Sequence, residues 1–305
     1  MASSMNLPDT PLIDSTLGLI NGDLFAQKLK NKADMRWGSD SSLTLATIES
    51  LSNGYSLTDI MTQFTYWYTT GAYTMDQTPQ AVGTVTKRAI EHFQKQQDPF
   101  TSGGIFEEDN ANGSLLRITP VILYLRAQYG ENFTTNDSAM LILHQTGGLT
   151  HNHPRSLIAI GYYAMFLNGI LSGLSLSTAV EHALSNAYEY YSKHALFASE
   201  LTALANLNTP DFENTPLSDI VATGYVIDTL TATVWVLLNS HTYVESLSVA
   251  AELSGEPERI LPLVGAVAGA LYGYHALPTE WLSEIGQRIV SDILINATAS
   301  QRFTI

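Results

Sequence analysis

Ile260-Leu261-Pro262-Leu263-Val264-Gly265-Ala266-Val267-Ala268-Gly269-Ala270-Leu271-Tyr272-Gly273-Tyr274 contains no charged residue, and its glycines recur at every fourth position. Residues four apart share one face of an α-helix, so Gly265, Gly269 and Gly273 predict a stripe without side chains. Each such glycine costs an isolated helix about 1 kcal/mol relative to alanine. The stripe therefore makes sense where a second helix comes close, which places this segment at the centre of a helical bundle. A membrane span needs about 20 continuous apolar residues. Here Pro262 and Pro278 bound the run and His275 falls inside it. The uncharged run from Ser156 to Val180 is likewise interrupted, by Asn168 and Ser172-Gly173. Both read as buried core helices.

The helical period extends outward from this segment. Leu43, Ala46, Thr47 and Leu51 follow three-and-four spacing. Ser56-Leu57-Thr58-Asp59 opens a helix through Trp67, and Thr242 to Glu245 is a capping box in which hydroxyl and carboxylate satisfy each other's amides. Pro154 stands at a first helical turn and Gly255 at a helix stop. After Pro278-Thr279, the residues Trp281, Ile285, Ile289 and Ile293 recur every four. Loops are expected at Gln77–Thr84, Gln97–Asn112, Gly147–Pro154 and Asn206–Pro216. No pair of alternating runs flanks a hairpin turn. The expectation is one all-α domain over residues 1–305, with about a dozen helices.

Composition narrows the chemistry. The chain has 305 residues, 14 Lys+Arg against 29 Asp+Glu, a formal charge of −15 and no cysteine. That charge argues against nucleic acid or an anionic membrane as partner. The missing thiols exclude disulfides, Cys-zinc sites and thiol catalysis. Met1 to Asp14 shows no basic and apolar leader, so a cytoplasmic setting is expected. No His-Glu-x-x-His, P-loop, dinucleotide fingerprint or nucleophile elbow is present. Three polar interruptions remain, each at a helix N-terminus: Trp37 to Ser42, Asn112 to Arg117, and Gly255 to Arg259. Free backbone amides at such positions favour an anion.

The order of these segments resembles the ADP-ribosylglycohydrolase family of all-α hydrolases. Gly18-Leu19-Ile20-Asn21-Gly22-Asp23 is similar to its G-x-x-x-G-D-A opening, and Trp37 to Ser42 stands where the family has W-T-D-D-T. Asn112 to Arg117 with Pro120 resembles N-G-S-x-M-R-x-x-P, and Leu149-Thr150-His151 with Pro154 resembles T-H-x-x-P. Thr223 to Leu230 is close to S-G-Y-V-x-x-T-L. Gly255 to Arg259, the glycine-striped helix and Pro278 to Trp281 match the last motif. The resemblance implies a compact orthogonal helical bundle. It also implies ADP-ribose, a related nucleotide sugar or an ADP-ribosylated protein as partner. Asp23, Asn112, Gly113, Ser114, His151 and Tyr225 are its implied ligand-binding residues.

The departures fall on the metal ligands. Family members hold two Mg²⁺ between T-D-D and D-x-D-T, which become Gly38, Ser39 and Asp40 and then Glu256, Glu258 and Arg259. Asp40, Glu256 and Glu258 are the carboxylates left for catalysis or for metal. Ser39 and Arg259 occupy lost ligand positions. Arginine has no lone pair to give a cation, so it either pairs with an inner carboxylate or turns to solvent. The expected cofactor is a single Mg²⁺ or none. Only Leu24 to Met35 link Asp23 to Arg36, a short connection that predicts an open cleft. Arg117 is expected to be a buried structural cation with a carboxylate partner.

Three functions fit this pattern. One is a binding or regulatory homologue impaired in hydrolysis by a degenerate di-magnesium site. Another is an active hydrolase releasing ADP-ribose from N- or O-glycosidic bonds with one metal or none. The third is a structural protein that keeps only the fold.

Overall fold

A computed structural model describes residues 7–30, 36–278 and 284–305, and helices supply nearly all of the regular structure. The chain begins with α1 (Pro11–Leu29), α2 (Ser39–Ser52), α3 (Leu57–Thr70) and α4 (Thr84–Gln96). The single turn α5 (Gly113–Leu116) leads into α6 (Thr119–Tyr129), α7 (Asp137–Gly148), α8 (Pro154–Leu171) and α9 (Leu176–Tyr191). After the one-turn α10 (Ala195–Ala198) come α11 (Val226–Leu238), α12 (Tyr243–Ala251), α13 (Leu261–Tyr272) and α14 (Glu284–Ala299). Among the described residues the only sheet is β1 (Val221–Ala222) paired in parallel with β2 (Ser254–Gly255). The all-α expectation holds.

Helix ends follow the local chemistry read from the sequence. Ser56 accepts the amide of Asp59 at 3.2 Å and starts α3, and Pro154 opens α8. Thr242 caps α12 through the Glu245 amide at 3.1 Å. The Glu245 carboxylate, however, reaches the amide of His241, at 2.7 Å, one residue outside the expected box. Gly255 is also not the helix stop. The helix ends at Ala251, and Gly255 lies in β2 with φ +94°, where a Cβ would stand 2.3 Å from the Ala222 carbonyl oxygen. Trp281 and its neighbours Thr279 and Glu280 lie outside the described residues.

The glycine stripe does place α13 at the centre. α13 runs along α1, the most extensive helix pairing in the molecule, and its residues from Leu261 to Gly269 are all buried. α1 supplies glycines of its own: a Cβ on Gly22 would sit 2.3 Å from the Leu261 carbonyl oxygen. Gly273 has a separate task, closing the helix at φ +76°. Tyr243 ties the pair to α12 by donating its hydroxyl to the Gly18 carbonyl at 2.7 Å. α8 is buried along almost its whole length. No described helix is long and apolar enough to cross a membrane.

This crossing positions the chemistry. It fixes α1, which carries Asp23, beside the turn Pro257–Arg259 that leads into α13. A continuous core of buried side chains from α1 to α14 surrounds the pair.

Candidate functional site

A cleft of about 930 Å³ opens where α1, the first turns of α2 and α4, α5 and the segment before α13 converge. α2 begins at Ser39, and its N-cap is Gly38, which has no side chain to cap with. Asp23 of α1 replaces it. Asp23 Oδ2 accepts the Gly38 amide at 2.8 Å, the Ser41 amide at 3.3 Å and the Ser41 hydroxyl at 2.7 Å. Its Oδ1 accepts the Gln27 side-chain amide at 3.1 Å. A carboxylate at a helix N-terminus satisfies orphan amides and opposes the helix dipole. All of these bonds point to a structural task for Asp23 at the cleft floor.

Asp40 follows within the same turn. Burial, and then the adjacent Asp23 carboxylate, push the Asp40 carboxyl up to about 7, with Lys30 and Arg259 pulling the other way. Glu258 lines the cleft and pairs with Lys30 at 3.6 Å. Arg259 lines it as well, and its Nε donates to Glu256 at 2.8 Å. Both of those side chains remain about half exposed, so this pair contributes little stability. Arg259 therefore pairs with Glu256 of its own turn and with neither Asp40 nor Glu258.

The second floor segment is knitted by its own polar groups. Asn112 donates to Thr229 Oγ1 at 2.9 Å and to the Arg259 carbonyl at 3.1 Å, and its amide donates to the Gly224 carbonyl at 2.9 Å. Gly113 faces His151, whose Cε1 would meet a Cβ there at 3.0 Å. His151 lines the cleft at 1% exposure. Burial, and then the Arg117 charge, drive its pKa down to about 3, so the ring is neutral at physiological pH.

The structure thus brings Asp23, Ser39, Asp40, Asn112, Gly113, His151, Glu258 and Arg259 to one cleft. Three residues stand outside its lining. Ser114 is wholly buried with no hydrogen-bond partner for its hydroxyl. The Tyr225 hydroxyl accepts from Arg155 at 3.1 Å, in a cluster with Glu107 and Glu200. Glu256 turns to Arg259. Arg117 also departs from expectation. It is fully buried but has no carboxylate against it among the described residues; it bonds the Thr146 carbonyl at 3.3 Å and Thr150 Oγ1 at 2.9 Å, with the Phe64 ring centroid 4.8 Å away.

Sequence reasoning missed two parts. Lys30 is the first, although Lys28, Lys30 and Lys32 fall within five residues of a chain poor in cations. The second is a wall: Asp76 and residues 78–86 line the cleft, beside Gln27 and Lys30 at the end of α1. Gln80 bolts this segment down, donating to the Trp37 carbonyl at 2.7 Å and accepting from Ser42 at 3.0 Å. Arg36 and Asp76 form an ion pair on the same side.

The donor set does not fit a pair of Mg²⁺ ions, which demand near-octahedral oxygens at about 2.0–2.1 Å. Gly38 offers no side chain, and Glu256 and Glu258 are paired with organic cations. The oxygens of Asp23 already accept protein donors. Among the described residues no three His, Asp or Glu side chains gather as a metal-binding group.

A family model described as ADP-ribosylglycohydrolase matches residues 10–303. The chain is similar to the ADP-ribosylarginine hydrolase Tri1 of Serratia proteamaculans, with 26% identity over 83% of this chain and 64% of that protein. The Pseudomonas putida Tri1 is 24% identical over 82% and 62%. The chain thus spans less than two thirds of either relative's length. The ADP-ribosyl-[dinitrogen reductase] glycohydrolase of Rhodospirillum rubrum is 23% identical over 83% of this chain and 75% of that protein. In fold, the chain is similar to a solved structure titled ADP-ribosylglycohydrolase-related protein complex, with a TM-score of 0.70 and 21% identity over 97% of this chain and 98% of that one.

Proposed function

From the chain's membership of the ADP-ribosylglycohydrolase family, we propose that it binds ADP-ribose or a related nucleotide sugar in the α2–α5 cleft and is a binding or regulatory member, impaired in hydrolysis. The observation that carries this reading is the ion pairing at the cleft: Lys30 with Glu258, and Arg259 with Glu256. Where the family has metal-ligating oxygens, this chain sets carboxylates against organic cations. Those cations offset the negative field of Asp23, Asp40 and Asp76 and supply donors for a pyrophosphate. They do not polarise a water as a Lewis acid does.

Metal-assisted polarisation and orientation contribute several kcal/mol, and each 1.36 kcal/mol is tenfold in rate. Hydrolysis of ADP-ribosyl-arginine is therefore expected to be slower than in a two-metal enzyme by a factor on the order of a thousand or more. A second reading rests on Asp40 and Glu258 facing one cleft: a metal-free hydrolase in which one carboxyl group donates a proton and the other assists water.

One assay separates these readings. Purified protein is incubated with an ADP-ribosylated arginine peptide in Mg²⁺ and then in EDTA, beside a thermal-shift titration with ADP-ribose. Stabilisation by ADP-ribose without release supports the binding protein. Slow release unaffected by EDTA and lost in Glu258→Gln supports the metal-free hydrolase. Rapid release that requires Mg²⁺ overturns both.

A further inference from the structure

Arg117, Thr150 and His151 form a chain of hydrogen bonds that ends at the cleft. Arg117 Nη2 donates to Thr150 Oγ1 at 2.9 Å, and Thr150 Oγ1 lies 2.8 Å from His151 Nδ1. All three side chains are essentially inaccessible to solvent, at 0%, 0% and 1% exposure.

The direction of each proton follows from the donor inventory. A guanidinium only donates. The Arg117 bond therefore occupies a lone pair of Thr150 Oγ1 and leaves the hydroxyl proton to be placed. Among the described residues the only other partner of that hydroxyl is His151 Nδ1. A buried hydroxyl proton without an acceptor costs about 1–3 kcal/mol, so the proton points at Nδ1. Nδ1 must then present its lone pair, and in a neutral imidazole the ring proton resides on Nε2. The charges around the ring agree with neutrality: Arg117 and Arg88 disfavour an imidazolium, and Asp109, which favours one, is paired with Arg88.

We infer that Arg117 and Thr150 are positioning residues that fix His151 as its Nε2–H tautomer, so that the ring meets a cleft ligand as a neutral hydrogen-bond donor. Gly113 keeps that edge uncovered, since a Cβ there would stand 3.0 Å from His151 Cε1 and 3.4 Å from Nε2. A ring held in this way has no lone pair to offer at the cleft, and it serves neither as a general base nor as a metal ligand. It suits a phosphate or ribose oxygen. That last step rests on the proposed ADP-ribose reading; the tautomer does not.

The test is a long-range ¹H–¹⁵N correlation spectrum of the imidazoles in the ligand-free, ¹⁵N-labelled full chain, with His151 assigned by its loss in His151→Gln. The expected wild-type pattern has a protonated, pyrrole-type Nε2 and an unprotonated, pyridine-type Nδ1, unchanged from pH 8 to pH 5.5. Thr150→Val removes the donor and should shift the ring toward Nδ1–H or a mixture, and Thr150→Ser should restore the wild-type pattern. An Nδ1–H ring or an imidazolium in the wild type overturns the inference, and that spectrum decides even if Thr150→Val fails to fold. A folded Thr150→Val with the wild-type pattern also overturns it. In ADP-ribose titrations Thr150→Val should bind about tenfold more weakly, with Thr150→Ser restored. No binding by the wild type would overturn the reading of the cleft and leave the tautomer standing.

Discussion

Gly18 and Gly265 face each other across the α1–α13 crossing so closely that a Cβ on either would lie 2.2 or 2.3 Å from the other's carbonyl oxygen. The obstacle on both sides is backbone, which has no rotamer to change. Overpacking a core commonly costs 1–3 kcal/mol, and more where nothing yields. Gly18→Ala and Gly265→Ala should each therefore cost at least about 3 kcal/mol in denaturant unfolding. Gly83→Ala is the control, because a Cβ there meets nothing within 4 Å; it should change stability by less than about 1 kcal/mol.

The Asp23 cap makes a second prediction. Asp23 is 2% exposed, and one of its oxygens serves the amides of both Gly38 and Ser41. Asp23→Ala strands these donors at the start of α2. Charged hydrogen bonds contribute about 1.5–3 kcal/mol each, and a lost cap about 1. A loss of about 2–4 kcal/mol is expected by chemical denaturation. Asp23→Asn keeps an acceptor oxygen and should lose about half as much. Equal stability of all three proteins would show that α2 is not capped from α1.

His144 gives a pH dependence with a definite sign. Its Nε2 bonds the Tyr191 hydroxyl at 2.7 Å among the rings of Tyr190, Tyr191 and Phe197. Burial drives its pKa down from 6.5 to about 4. Between those values the unfolded chain takes up a proton that the folded chain refuses, so the contribution is complete above pH 6.5 and declines as pH falls toward 4. The slope is about 1.36 kcal/mol per pH unit. From pH 7 to pH 4.5 the wild type should lose about 2–3 kcal/mol more than His144→Gln, which does not titrate. Parallel losses in the two proteins would locate the acid sensitivity elsewhere.

What the sequence made legible was backbone-level. A glycine repeat at helical spacing has few explanations, and the order of short polar motifs places Asp40, Asn112, Gly113, His151, Glu258 and Arg259 at one cleft. Side-chain partners beyond the local turn were not legible. Arg117 finds a carbonyl, a hydroxyl and the Phe64 ring where a carboxylate was expected, because those groups arrive from three other segments. Lys30 reaches Glu258 from a position 228 residues earlier in the chain. The Tyr225 hydroxyl is taken by Arg155 of α8, a pairing that no motif records. Asp76 and residues 78–86 carry no signature, and they form the wall only because Gln80 meets Trp37 and Ser42 in space.

If the donor set at the cleft limits Mg²⁺ binding, restoring the residues the family resemblance implies should raise it. Arg259→Thr removes a cation and frees Glu256, and Glu256→Asp with Glu258→Asp draws both carboxylates back by one methylene. Ser39→Asp adds a ligand beside Asp40. Gly38→Thr is the constrained step, since its Cβ would stand 3.0 Å from both Asp23 Oδ1 and the Gln27 side-chain nitrogen. That nitrogen is the far end of a flexible side chain, so Gln27 must swing aside; Gln27→Ala in the same background removes this contact and leaves the one with Asp23 Oδ1. Mg²⁺ tolerates misplaced oxygens poorly, and gains should appear only as the set nears completion. Calorimetric titration should therefore find little change for Arg259→Thr alone. The five-fold variant should bind Mg²⁺ at least about tenfold tighter than wild type, a gain of about 1.4 kcal/mol, and adding Gln27→Ala should tighten it further. A folded six-fold variant with wild-type Mg²⁺ affinity would show that these side chains do not set the Mg²⁺ affinity of the cleft.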